Sequence, residues 1–171
     1  MGKKRYFDGL SVDKHGNIIL EMNAAEAACL LSQLNNDTAA SLIEAMVKNN
    51  VAGTAKIAEE ALSLNLENTV SFIQQMNKKS LAQLLVGIAR LRSTYRRAAE
   101  ILEEMTLEKA INAVKIMIEL EVYEDIAEIL QHVNTDRLNR IFEALTQSEK
   151  TQLLPYLTPE IITRISNFFR K

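Results

Sequence analysis

Val133-Asn134-Thr135-Asp136, Leu145-Thr146-Gln147-Ser148 and Leu157-Thr158-Pro159-Glu160 follow one another at twelve-residue steps, and this spacing decides the fold. Each quartet punctuates helices. Its apolar residue closes one helix into a core, and its Asn or Thr caps the first unbonded N–H groups of the next. Acid in that first turn suits the helix dipole, and Pro159 falls at the first helical position, where a missing N–H costs little. The joint recurs as Leu34-Asn35-Asn36-Asp37, Leu64-Asn65-Leu66-Glu67 and Met105-Thr106-Leu107-Glu108. Met76-Asn77-Lys78-Lys79 and the quartet at Leu145 are looser versions. A twelve-residue step leaves room for helices of two to three turns, roughly 12–15 Å long. Helices that short are marginal alone, so they must stack and bury their apolar stripes against one another. The expected fold is an all-α, right-handed superhelix, or solenoid, of short stacked helices over residues 23–171.

Longer internal similarity agrees with stacking. Ala27–Met46 lies without gaps over Ala98–Met117, and Ile57–Met76 over Ile126–Leu145. Asn49-Asn50-Val51-Ala52-Gly53 and Arg92-Ser93-Thr94 read as the longer breaks. Residues 1–22 read differently. Tyr6, Phe7, Leu10 and Val12 precede Gly16-Asn17, and Ile18-Ile19-Leu20 follow, which predicts a small β-hairpin or else an irregular arm.

The runs Ala27-Ala28-Cys29-Leu30-Leu31-Ser32-Gln33-Leu34 and Asn35-Asn36-Asp37-Thr38-Ala39-Ala40-Ser41-Leu42-Ile43-Glu44-Ala45-Met46 resemble the N-terminal superhelical domain of MgtE-type magnesium transporters. A related module occurs in the flagellar motor switch protein FliG. The likeness covers about residues 24 to 169. It implies a cytosolic helical domain that takes part in magnesium sensing. The chain departs from that family in having no room for a sensor pair or membrane helices, and its joints carry Asn and Lys where the family places Pro and Glu. No family ligand transfers residue by residue.

Composition narrows the function classes. The chain has 171 residues, 47% apolar and 25% charged, with only 5 Gly and 2 Pro, the vocabulary of a globular helical protein. A net charge of −2 argues against a dedicated nucleic-acid binder. No apolar run approaches the ~20 residues of a membrane span, and the stretch after Lys3-Lys4-Arg5 lacks a signal-peptide core, so the expected compartment is the cytoplasm. Cys29, the only cysteine, reads as a buried structural thiol. Gly-rich phosphate loops and zinc or calcium spacings are missing, which points away from an enzyme.

Two constellations remain. Asp125, Glu128 and His132 have i, i+3, i+7 spacing on one helix face and form the metal-ligand candidate, with mixed oxygen and nitrogen ligands; separately, the resemblance implies that the acidic stretch Glu100 to Glu128 collects divalent cations such as magnesium loosely. The bland alternative is a solvated face. Between Asn68 and Ala99 there is no acid, while Lys78, Lys79, Arg90, Arg92, Arg96 and Arg97 are basic; Glu100 to Glu128 is rich in acid. Arg90, Arg92, Tyr95, Arg96 and Arg97 are therefore candidates for docking an acidic partner, phosphate or RNA, with Tyr95 as a stacking surface. Alternatively, neighbouring helices neutralise one another, for example Arg96 with Glu100. The closing segment from Ile161 to Phe168-Phe169 reads as an amphipathic helix that caps the array or joins it to another copy. The sequence thus predicts a non-enzymatic module that binds a partner protein or itself, with no cofactor other than magnesium.

Overall fold

The computed structural model describes residues 11–91 and 95–169, with side chains as far as residue 166. Among the described residues there are twelve α-helices and no strand. In order these are α1 (Val12–Glu21), α2 (Ala24–Ser32), α3 (Asn36–Asn49), α4 (Val51–Leu64), α5 (Leu66–Ile73) and α6 (Lys78–Arg90). Then come α7 (Tyr95–Glu104), α8 (Leu107–Glu119), α9 (Tyr123–His132), α10 (Thr135–Ala144), α11 (Gln147–Leu153), a 3-10 turn at Leu154–Tyr156, and α12 (Pro159–Phe169). No described helix is long and apolar enough to cross a membrane.

Every joint quoted from the sequence starts a helix. Asn35, Asn65, Asn77 and Asn134 each accept a hydrogen bond from the backbone N–H three residues on, at 2.8 to 2.9 Å. Thr106 and Thr158 do the same at 3.4 and 3.3 Å. Thr146 forms a reciprocal capping box with Glu149. The expected long break at Asn49–Gly53 is a single residue: Asn50 ends α3 and caps α4 through Gly53 N–H at 2.8 Å. Arg92-Ser93-Thr94 lies outside the described residues.

Every second helix in sequence order stacks on the one before it, giving two layers. One layer runs α1, α3, α5, α7, α9, and the other α2, α4, α6, α8, α10, α12. Pairs of fully buried alanines, Ala27-Ala28 on α2 and Ala98-Ala99 on α7, allow close approach of the neighbouring helices. A single continuous core extends from Ile19 to Ile165, with Phe72, Leu84, Leu85, Ile88 and Leu102 sealed inside. The all-α stacked array that the joints predict is the fold.

Side chains also tie three of the joints to earlier segments. The backbone N–H of Asn77 donates to Glu44 Oε1 at 2.7 Å, that of Thr106 to Gln74 Oε1 at 3.2 Å, and that of Asn134 to Glu103 Oε1 at 3.1 Å. Arginines serve the opposite helix ends. Arg137 donates to the Glu103 carbonyl, and Arg164 to the carbonyls of Gln131 and Val133. A helix terminus leaves such groups without intrahelical partners, so these bonds complete the backbone accounting between successive units.

The N-terminal expectation needs correction. Residues 1–10 lie outside the described residues, but Val12–Glu21 is helix and not the second half of a hairpin or an irregular arm. Ser11 caps it from Lys14 N–H, and α1 packs on α3, so residues 12–21 belong to the array. Gly16 is buried in mid-helix, where a Cβ would stand 3.3 Å from Met46 Cγ. That glycine permits close packing of α1 on α3; it does not turn the chain. Asn17 faces the same neighbour and accepts from Asn49 Nδ2 at 2.8 Å.

Candidate functional site

The Schellman-type end of α8 shapes the most distinctive surface. Glu121 N–H bonds the Ile118 carbonyl at 3.0 Å and Val122 N–H bonds that of Met117 at 3.3 Å. This closure puts Glu121 in the left-handed region, φ 58°, the only positive φ at a non-glycine among the described residues. It leaves Leu120 at the surface, 36% exposed. Leu120 and Val122 then form one wall of a groove of about 530 Å³, whose other walls come from Val51 at the start of α4 and Val86, Gly87 and Leu91 around α6. Gly87 lets α4 approach α6; a Cβ there would meet Val51 Cγ1 at 2.9 Å.

Arg90 stands at the end of this groove and also lines a smaller, polar pocket of about 180 Å³ with Glu121, Glu124, Asp125, Tyr123 and Tyr156. The two tyrosine rings stack at 5.0 Å with 20° between their planes. Arg90 grips Asp125 with both ends of its fork, Nε to Oδ1 at 3.2 Å and a terminal nitrogen to Oδ2 at 2.7 Å. The Asp125 hydrogen bond raises the Arg90 pKa above its ordinary value, burial opposing. Tyr95 close by is also pushed up, first by burial and then by the negative charges of Asp125, Glu128 and Glu124.

These contacts redistribute the candidates read from the sequence. Asp125 is buried and committed to Arg90, whereas Glu128 and His132 are exposed. Among the described residues no three His, Cys, Asp or Glu side chains are grouped to hold a metal ion. Among the described residues the candidate triad is therefore not brought together as a metal-ligand set. The reason is that Asp125 turns toward α6 and not along its own helix face.

The basic strip is not a free cationic surface either. Arg97 donates to Glu59 on α4 at 3.2 Å, to Glu100 at 2.9 Å and to Ser63 Oγ at 3.3 Å. Burial works against its charge, but the two carboxylates outweigh it and raise its pKa. Arg96 is exposed and Arg92 lies outside the described residues. Neutralisation is thus what the geometry favours, between helices in Arg90–Asp125 and Arg97–Glu59 and within α7 in Arg97–Glu100, with Arg97 and not Arg96 as the partner of Glu100. Cys29 also departs from expectation. It is exposed, because Ala27, Ala28 and Leu31 take the core-facing positions of α2.

A second apolar surface lies at the far end of the array. Leu154, Tyr156 and Ile162 are 54%, 42% and 38% exposed, and Leu154 and Ile162 border a groove of about 310 Å³ with Phe142, Leu157 and Ile165. The side chains of Phe168 and Phe169 lie outside the described residues. Sequence reasoning missed both grooves. The available signal was the apolar pair Leu120 and Val122 flanking a charged residue between two helices.

Compared with known proteins, the chain matches no family model, no curated protein and no solved structure.

Proposed function

We propose that this chain is a non-enzymatic interaction module, a helical superhelix that holds a partner protein against the groove between α4, α6 and the α8–α9 joint. The observation that carries this reading is the groove itself: an apolar trough with Leu120 exposed at its wall. Surface leucines and valines gathered in a concavity are what a partner's apolar side chains cover. The histidines fit a binding role better than a catalytic one, since His15 is buried on α1 and His132 is exposed at the far end of α9. The test is purification of tagged wild type and Leu120→Asp from the native host. The expected result is a stoichiometric protein partner with the wild type that is lost with the variant. A monomeric wild type that retains no stoichiometric partner would overturn the reading.

The exposed Leu154, Tyr156 and Ile162 favour a second reading, self-assembly through the C-terminal end. Light scattering decides it. Assembly predicts a multimer that Leu154→Asp with Ile162→Asp dissociates, and a strict monomer at high concentration removes it.

A further inference from the structure

The apolar groove and the polar pocket share a border, because Arg90 and Val122 line both. A segment lying in the groove past Leu120 therefore meets the pocket next. Within that pocket Arg90 and Asp125 cancel in a bidentate pair, which leaves Glu121 and Glu124 as its other charges, with no ion pair among the described residues. Stacked Tyr123 and Tyr156 supply aromatic surface in the same pocket. Carboxylates beside an aromatic face suit a cation, and a planar guanidinium suits them best.

Helix chemistry explains only part of this charge. Glu124 and Asp125 stand in the first turn of α9, where the dipole favours acid anyway. Glu121 stands outside the helix, at a left-handed position that glycine occupies without strain. The closure of α8 sets that φ, and the Glu121 carboxylate lines the polar pocket.

Resting on the interaction-module reading, we infer that the groove takes an amphipathic segment of a partner protein whose apolar face ends in an arginine or lysine, the cation seated between Glu121, Glu124 and the tyrosine stack. This is the reverse of the acidic partner that the Arg90–Arg97 strip suggests in the sequence. With Arg90 and Arg97 internally paired, an acidic segment would face the two glutamates instead.

Random peptides displayed on phage, selected on the full chain and remeasured as fluorescent synthetic peptides by anisotropy, test the inference. The expected winners carry aliphatic residues followed by Arg or Lys, and bind more weakly as salt rises. Glu121→Lys with Glu124→Lys should weaken them about tenfold, as two reversed rim charges imply. Glu121→Gln with Glu124→Gln, which keeps side-chain shape, should weaken them less, and Leu120→Asp should abolish binding; each variant's melting curve controls for folding. Arg96→Glu should leave affinity unchanged. Acid-rich winners, or winners indifferent to the glutamate and Leu120 variants, overturn the inference while the interaction-module reading stands. Dimers of the chain that compete with the winners would make a second copy the occupant and also overturn it. Failure to select any binder overturns both.

Discussion

Truncating Arg90 to alanine leaves the Asp125 carboxylate, whose side chain is 9% exposed, without the guanidinium that holds it. Breaking a buried pair from one side costs about 3–5 kcal/mol when the stranded charge stays dry. Arg90 itself is 60% exposed, so its removal admits water, and the N-terminus of α9 still favours a negative charge at Asp125. The loss should accordingly fall to about 2 kcal/mol. The reciprocal change is milder. Asp125→Ala strands a guanidinium that water already solvates, and costs about 0.5–1 kcal/mol. At roughly 2–4 °C per kcal/mol for a chain of this size, Arg90→Ala lowers Tm by about 4–8 °C and Asp125→Ala by about 1–4 °C. The double variant should melt close to Asp125→Ala, since without the carboxylate Arg90 has nothing left to hold. Circular-dichroism melts of the four proteins measure this. If Asp125→Ala is the more damaging single change, or if the two losses add, desolvation of Asp125 is not what the pair relieves and the argument fails.

Glu121→Gly should raise stability by about 1 kcal/mol in urea titration, because glycine adopts φ 58° without the Cβ penalty. Gly87→Ala should lower it by about 1 kcal/mol despite alanine's better helix propensity, since the new methyl would crowd Val51 Cγ1 at 2.9 Å and Ala55 Cβ at 3.3 Å. Glu103→Ala removes the acceptor for Asn134 N–H, an exposed bond, and should cost about 1 kcal/mol. Hydrogen exchange should show the added opening at the start of α10, with protection of α1 unchanged.

The helical array was legible in the sequence because its punctuation is local. An Asn or Thr cap acts over three residues, so reading Asn35, Asn65 or Asn134 requires no knowledge of the rest of the chain. The first helix was misread for an equally local reason. Gly16-Asn17 has the composition of a turn, and only the nearness of Met46 and Ala45 reveals why a glycine is wanted there. Ser11 followed by Asp13 was the helix-start signal that could have corrected it. Opposite blocks of charge were visible, but their pairing was not. Arg90 meets Asp125 across 35 residues and Arg97 meets Glu59 across 38, separations set by stacking. The metal triad failed on the same point: helical spacing gives a shared face, and stacking decides which side chains a neighbouring layer claims. Of the grooves only the Leu120 and Val122 wall left a mark in the sequence, because a concavity belongs to several elements at once.

The bonds from Glu44 to Asn77, Gln74 to Thr106 and Glu103 to Asn134 all run in one direction, with the acceptor earlier in the chain than the donor by about thirty residues. For a polypeptide leaving the ribosome N-terminus first, each receiving oxygen is already outside when the amide that needs it emerges. At these three joints the newly made segment thus finds its docking point waiting, and their assembly can keep pace with translation.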